Sequence, residues 1–135
     1  MKTSLTTGLS FNRRVLVDAP RTIAFMGEEG RVYSTPALVS DIEYACRDLL
    51  FQHCDAGEDS VGVRVEVEHL AATPVGYWVE VAVTIVAIDG RRVSFEASVR
   101  DALEEIGKGR HTRFVVDTAK TFARLKTKKE RLATA

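Results

Sequence analysis

From Val61 to Leu70 the chain reads VGVRVEVEHL, with Val61, Val63, Val65 and Val67 at odd positions and His69 in the next. Arg64, Glu66 and Glu68 fill the even positions, joined by Gly62 and Leu70. A period of two marks a half-buried strand, so Val63, Val65 and Val67 are expected to be covered. The same alternation delivers His69 to the covered face, where an imidazole needs a partner or a task. Two further runs, Tyr77–Ile88 and Arg92–Asp101, alternate in the same way and place Val81, Val83 and Phe95 on a buried face. Asp89-Gly90 between them is a hairpin signal. A fourth run covers about Lys108–Thr118, and residues 8–18 form a first strand ended by Pro20. Residues 20–33 are irregular, with a short turn of helix expected around Thr22–Met26.

Between Pro36 and Cys54 the period changes. Leu38, Ile42, Ala45, Leu49 and His53 recur at spacings of three and four, widened by Val39, Cys46 and Leu50. That is an amphipathic helix with a broad apolar face. Ser34 and Thr35 are good N-cap types, and Pro36 suits the first helical position. Glu43 falls at the edge of the apolar face, with Arg47 four residues on as an ordinary surface partner. The order of strand, helix and a four-strand antiparallel meander predicts an α+β domain over residues 1–118, one long helix packed on five or more strands. A single helix leaves sheet edges to cover, so a second copy is expected. Residues 119–135 form a basic C-terminal helix or tail of the same domain. It carries Lys120, Arg124, Lys126, Lys128, Lys129 and Arg131. The expectation is a solvated helix docked by Phe122 and Leu125, the sharper reading a phosphate-facing element.

Composition narrows the function. The 135 residues are 45% hydrophobic and 28% charged with a formal net charge of zero, against a general nucleic-acid or membrane-surface role. MKTSLTTGLS has no apolar signal-peptide core, and no run approaches a membrane span. Cys46 and Cys54 lie roughly 12 Å apart along the predicted helix, too far for a mutual disulfide. Reduced thiols in a cytoplasmic protein are the default. With three histidines and no Cys-x-x-Cys, neither metal nor cofactor is expected.

Singly, a histidine on an apolar face is more often core, a helical Glu beside Arg a surface pair, and Thr35 a cap. Together Thr35, Glu43 and His69 supply a hydroxyl, a carboxylate and an imidazole on a helix and strand that can pack. That is the inventory for activating a nucleophile and stabilising an oxyanion.

From about Tyr33 to Arg113 the chain resembles the fluoroacetyl-CoA thioesterase family of hot-dog acyl-CoA hydrolases. The matching segments are Thr35 through Glu43-Tyr44-Ala45-Cys46, Gly62 through His69-Leu70-Ala71-Ala72-Thr73-Pro74, Gly90-Arg91-Arg92, Glu105-Ile106-Gly107 and Gly109-x-His111-x-Arg113. The resemblance implies a hot-dog fold and hydrolysis of a small or medium acyl-CoA to free acid and CoA. Glu43 would be base or nucleophile, with Thr35 and His69 assisting. Gly62 and Arg113 would bind substrate, and the family's homodimers place acyl chambers near the interface. Two departures argue against fluoroacetyl-CoA as substrate: an aromatic lid insertion is missing, leaving Phe25 and Tyr33 as the only aromatics there, and Pro36 follows Thr35. A non-catalytic acyl-CoA binding module is the alternative. A hydratase would need an Asp/His pair, and Asp41 and His53 point to different faces.

Overall fold

β-branched and aromatic residues alternate with polar ones along most of this chain, and strands form where they do. A computed structural model describes all 135 residues. In chain order the elements are β1 (Ser10–Leu16), β2 (Thr22–Ile23), β3 (Val32–Tyr33), α1 (Thr35–Phe51), β4 (Glu58–His69), β5 (Trp78–Asp89), β6 (Arg92–Arg100), β7 (Glu105–Asp117) and α2 (Thr118–Ala133). Five strands make one antiparallel sheet in the order β1-β5-β6-β7-β4, wrapped around α1, and β2 pairs with β3 alone. The α+β architecture is the expected one.

Strand order is not. Only β5, β6 and β7 form a meander, and β4 pairs with β7 instead of β5. The connection from β4 to β5 is too heavily tied down to be a tight turn. The Tyr33 N–H donates to the Thr73 carbonyl at 2.9 Å, the Val75 N–H to that of Arg31 at 3.2 Å, and the Thr73 hydroxyl to Asp101 at 2.9 Å. Alternation reveals that a segment is a strand but not which strand it joins.

The Ser34 hydroxyl, not that of Thr35, caps α1, accepting from the Ala37 N–H at 3.1 Å. Pro36 lies in the first turn. Leu38, Ile42, Ala45, Cys46 and Leu50 are fully buried against Val79, Val81, Val83 and Phe95, and Leu49 nearly so. The core joins 20 buried residues into one cluster. Ahead of the helix the short turn falls at Ala19–Arg21, earlier than expected. Arg21 Nε reaches both oxygens of Asp41 at 3.2 and 3.0 Å, and the Tyr33 hydroxyl donates to Asp41 at 2.6 Å. Burial and the adjacent Asp41 carboxylate push the Tyr33 phenol far above the ordinary tyrosine range. This cluster pins residues 18–33 to α1.

Two burial expectations fail. Val63 and Val65 are 48% and 40% exposed. A bulge between Gly62 and Arg64 breaks the alternation, so Val61 opposes Phe114 while Gly62 opposes Arg113. Beyond the bulge Val65 opposes His111 and His69 opposes Gly107. β4 is moreover an edge strand, with β7 on one side and nothing on the other. The tail is helical, but Phe122 and Leu125 do not dock it, being 67% and 49% exposed. No residue of α2 is buried.

Gly109 shows how tightly β4 and β7 meet. A Cβ there would overlap the Glu66 carbonyl oxygen and lie 2.9 Å from Val67 Cγ1. Gly109→Ala is expected to lower unfolding stability by about 2 kcal/mol or more in urea titration. An unchanged midpoint would contradict the register.

Candidate active site

Glu43 leaves the edge of α1 and lies over the β4 bulge. Its Oε1 accepts from Arg113 Nη1 at 3.3 Å. The Arg113 side chain is only 5% exposed and the Glu43 side chain 46%, so a buried cation holds a carboxylate that still meets solvent. Arg113 spends its remaining donors inside: Nε to the Ser60 hydroxyl at 2.7 Å, Nη2 to the Ser60 carbonyl at 2.8 Å, and Nη1 also to His111 Nε2 at 3.1 Å. His111 Nδ1 lies 2.8 Å from the Arg64 carbonyl. A carbonyl only accepts, so Nδ1 carries the hydrogen and Nε2 offers its lone pair to Arg113. Burial chiefly, with Arg113 beside it, lowers the pKa of His111 and keeps the ring neutral. A Cβ on Gly62 would sit 2.7 Å from Glu43 Oε1 and 3.1 Å from His111 Cε1, so the missing side chain opens the approach to the carboxylate. Cys46 nearby is no rival nucleophile, because burial pushes its thiol up to about 12.

A second cluster lies at the other end of β4. Thr35 Oγ1 and His69 Nδ1 are 2.8 Å apart. Freed from capping, the Thr35 hydroxyl is exposed at the start of α1, where unpaired N–H groups favour negative charge. His69 Nε2 is buried with no partner, and Tyr33 packs edge-on with ring centroids 6.2 Å apart. A buried unpaired N–H is costlier than an unpaired lone pair, which favours hydrogen on Nδ1, donated to Thr35. Burial lowers the pKa of His69.

Thr35 and His69 are therefore brought together, as are Glu43, Gly62 and Arg113, but the two groups do not meet within a subunit. His69 lies seven positions along the strand from Gly62, a span of roughly 20 Å. Glu43 is not the partner of Arg47 either, which pairs with Asp59 at 2.6 Å. Sequence reasoning passed over His111 and Ser60. The signal for His111 was the alternation Gly109-x-His111-x-Arg113, which puts its side chain on the same inward face as Arg113.

The family model described as fluoroacetyl-CoA-specific thioesterase matches residues 17–119. The chain belongs to that family. A fluoroacetyl-CoA thioesterase from Streptantibioticus cattleyicolor is 31% identical over 95% of this chain and 97% of its own length. A solved structure of the fluoroacetyl-CoA thioesterase matches with a TM-score of 0.83 at 30% identity, over 93% of this chain and 98% of that one. A thioesterase superfamily member from Thermus thermophilus reaches a TM-score of 0.90 at 27% identity over 98% of this chain and 99% of its own. In this thioesterase-family chain, as in those neighbours, the hot-dog sheet wraps one long helix.

The imidazoles of His111 and His69 are both neutral in the fold, with pKa values lowered from the ordinary 6.5 by burial. Their contribution to stability is full above that value and is lost as pH falls through the lowered values. Thermal midpoints should therefore drop on acidification from about pH 7 to pH 5, and His111→Gln should flatten the dependence. Gly62→Ala should cut activity far more than stability, since the added methyl displaces Glu43. Wild-type rates in that variant would show the opening to be unimportant.

Proposed function

We propose that this chain hydrolyses small or medium acyl-CoA thioesters to free acid and CoA. The observation that carries the reading is the Glu43 carboxylate, held by Arg113 over the open backbone at Gly62. In the proposed reaction Glu43 takes a proton from water as the water oxygen attacks the thioester carbon, or attacks that carbon itself. The Thr35 hydroxyl, oriented by His69, donates to the developing oxyanion at the helix N-terminus. The carbon–sulfur bond then breaks and CoA leaves as the thiol, taking the proton held by Glu43; on the direct-attack route it takes a solvent proton, and water then hydrolyses the acyl–Glu43 anhydride to free acid and carboxylate. Phe25 and Met26, 91% and 79% exposed, form no closed aromatic lid in the subunit, which speaks for acyl groups other than fluoroacetyl.

The reading requires a homodimer. Antiparallel pairing of the free β4 edge with β4 of a second copy, centred near Val65–Glu66, brings the partner's His69 beside Gly62. It also covers the exposed Val63 and Val65. Each site is then built from Glu43, Gly62 and Arg113 of one subunit and Thr35 and His69 of the other. Both cysteines are free thiols, in keeping with a cytoplasmic setting.

Thiol release across a panel of acyl-CoAs tests the activity. Glu43→Gln should retain binding and lose roughly two orders of magnitude in kcat if Glu43 is a general base, and more if it attacks directly. Near-wild-type turnover in that variant would remove Glu43 from the chemistry, and binding without release by the wild type would leave an acyl-CoA binding module. Light scattering at micromolar concentration should give at least the dimer mass, and a monomer would contradict the shared site.

A further inference from the structure

The charges of α2 are arranged unlike those of the rest of the chain. Lys120, Arg124, Lys128 and Arg131 stand at spacings of four, four and three, one stripe roughly 16 Å long. No cation of α2 lies within ion-pair distance of a carboxylate, and Arg124 reaches only the Thr121 hydroxyl at 3.3 Å. Elsewhere Arg13, Arg21, Arg31, Arg47, Arg91 and Arg110 pair with carboxylates, while Arg14, Arg92 and Arg100 stand singly with none in ion-pair range. Like charges four apart weaken a helix. Here the repulsion runs the length of the element, and Glu130 is the one carboxylate within it. Arg124, Thr127, Lys128, Arg131 and Leu132 also line a shallow depression of about 530 Å³.

The stripe matters because of what surrounds it. Of nineteen cations and nineteen acids, α2 holds six cations and only Glu130 among the acids, so the rest of the chain is net negative by five. A polyanionic thioester approaching that net-negative body finds its densest cluster of unpaired cations at α2. The helix also springs from the correct end of the sheet. Asp117 opposes Glu58, the Thr118 N–H donates to the Gly57 carbonyl at 2.9 Å, and Arg113 lies four residues back along the same strand. About four residues of strand, roughly 13 Å, separate Arg113 from the start of α2. The matched family residues end at 119, so the family match assigns nothing to this helix.

We propose that the Lys120–Arg124–Lys128–Arg131 stripe of α2 is the docking site for the phosphate groups of the nucleotide end of acyl-CoA. It captures the polyanion while the thioester reaches Glu43. This rests on the thioesterase reading for its kinetic test but not for its binding test.

Arg124→Glu is the informative variant, because it places a carboxylate between Lys120 and Lys128 and turns two repulsive spacings into attractive ones. Helicity and thermal midpoint should hold or rise. KM for the best acyl-CoA should rise about tenfold or more, with kcat little changed, as expected when steering charge is lost. KM for the matching acyl-pantetheine, which lacks the nucleotide, should not move, and Arg124→Lys should restore the wild-type value. Calorimetry with free CoA, then dephospho-CoA, should show weaker binding in Arg124→Glu and a smaller difference when the ribose phosphate is missing. The proposal is overturned if KM for acyl-CoA is unchanged, or if acyl-pantetheine suffers equally. It is also overturned if wild-type α2 instead binds anionic phospholipid vesicles and Arg124→Glu abolishes that alone. If no thioester is turned over by the wild type, the thioesterase reading fails, and the calorimetric comparison still decides the stripe.

Discussion

A guanidinium buried beneath a helix must be met by an acceptor in each direction, or it costs more than the fold can bear. Arg113 is met by the hydroxyl and carbonyl of Ser60, by the lone pair of His111 and by Glu43. Each partner lies on a different stretch of chain, so satisfying one cation sets the relation of α1, β4 and β7 together. The bulge at Gly62–Arg64 follows from the same requirement: it turns the Arg64 carbonyl toward His111 and removes a side chain where Glu43 must lie. The proposed chemistry uses the one group in this cluster that still faces solvent.

The second cluster is organised differently. Thr35 is available because Ser34 does the capping, and His69 is held by Thr35 on one side and by Tyr33 edge-on. Tyr33 is fixed in turn by Asp41 and Arg21, so the irregular segment before α1 helps to set the imidazole. The strand that carries both clusters is an edge strand with exposed valines, and the distance along it separates acid from imidazole within a subunit. The proposed isologous β4–β4 contact would remove the exposed edge and the separation at once.

Much of this was legible in the sequence, for reasons that differ by residue. Helical periodicity located Leu38, Ile42 and Leu49, and alternation located Val81, Val83 and Phe95, because those positions are covered within one subunit. Val63 and Val65 misled because alternation assumes a cover that an edge strand lacks, and because a bulge shifts the faces without leaving any mark except Gly62. Thr35, Glu43, His69, Gly62 and Arg113 were named from residue types and resemblance, yet their division into two groups depends on a seven-residue length of strand. His111 escaped notice because its role, neutral acceptor for a buried arginine, exists only once β4 and β7 are paired. The meander was misordered since tertiary tethers on Thr73 and Val75, rather than local turn chemistry, carry the chain from β4 to β5.

The proposed working site draws Glu43 from one subunit and His69 from the other. Mixing refolded Glu43→Gln with His69→Ala tests it directly. Each variant alone should be nearly inactive, while the mixture should regain about a quarter of wild-type thiol release, because half of the dimers are mixed and each mixed dimer rebuilds one of its two sites. A mixture as inactive as its components, with subunit exchange verified by mass, would contradict the shared site.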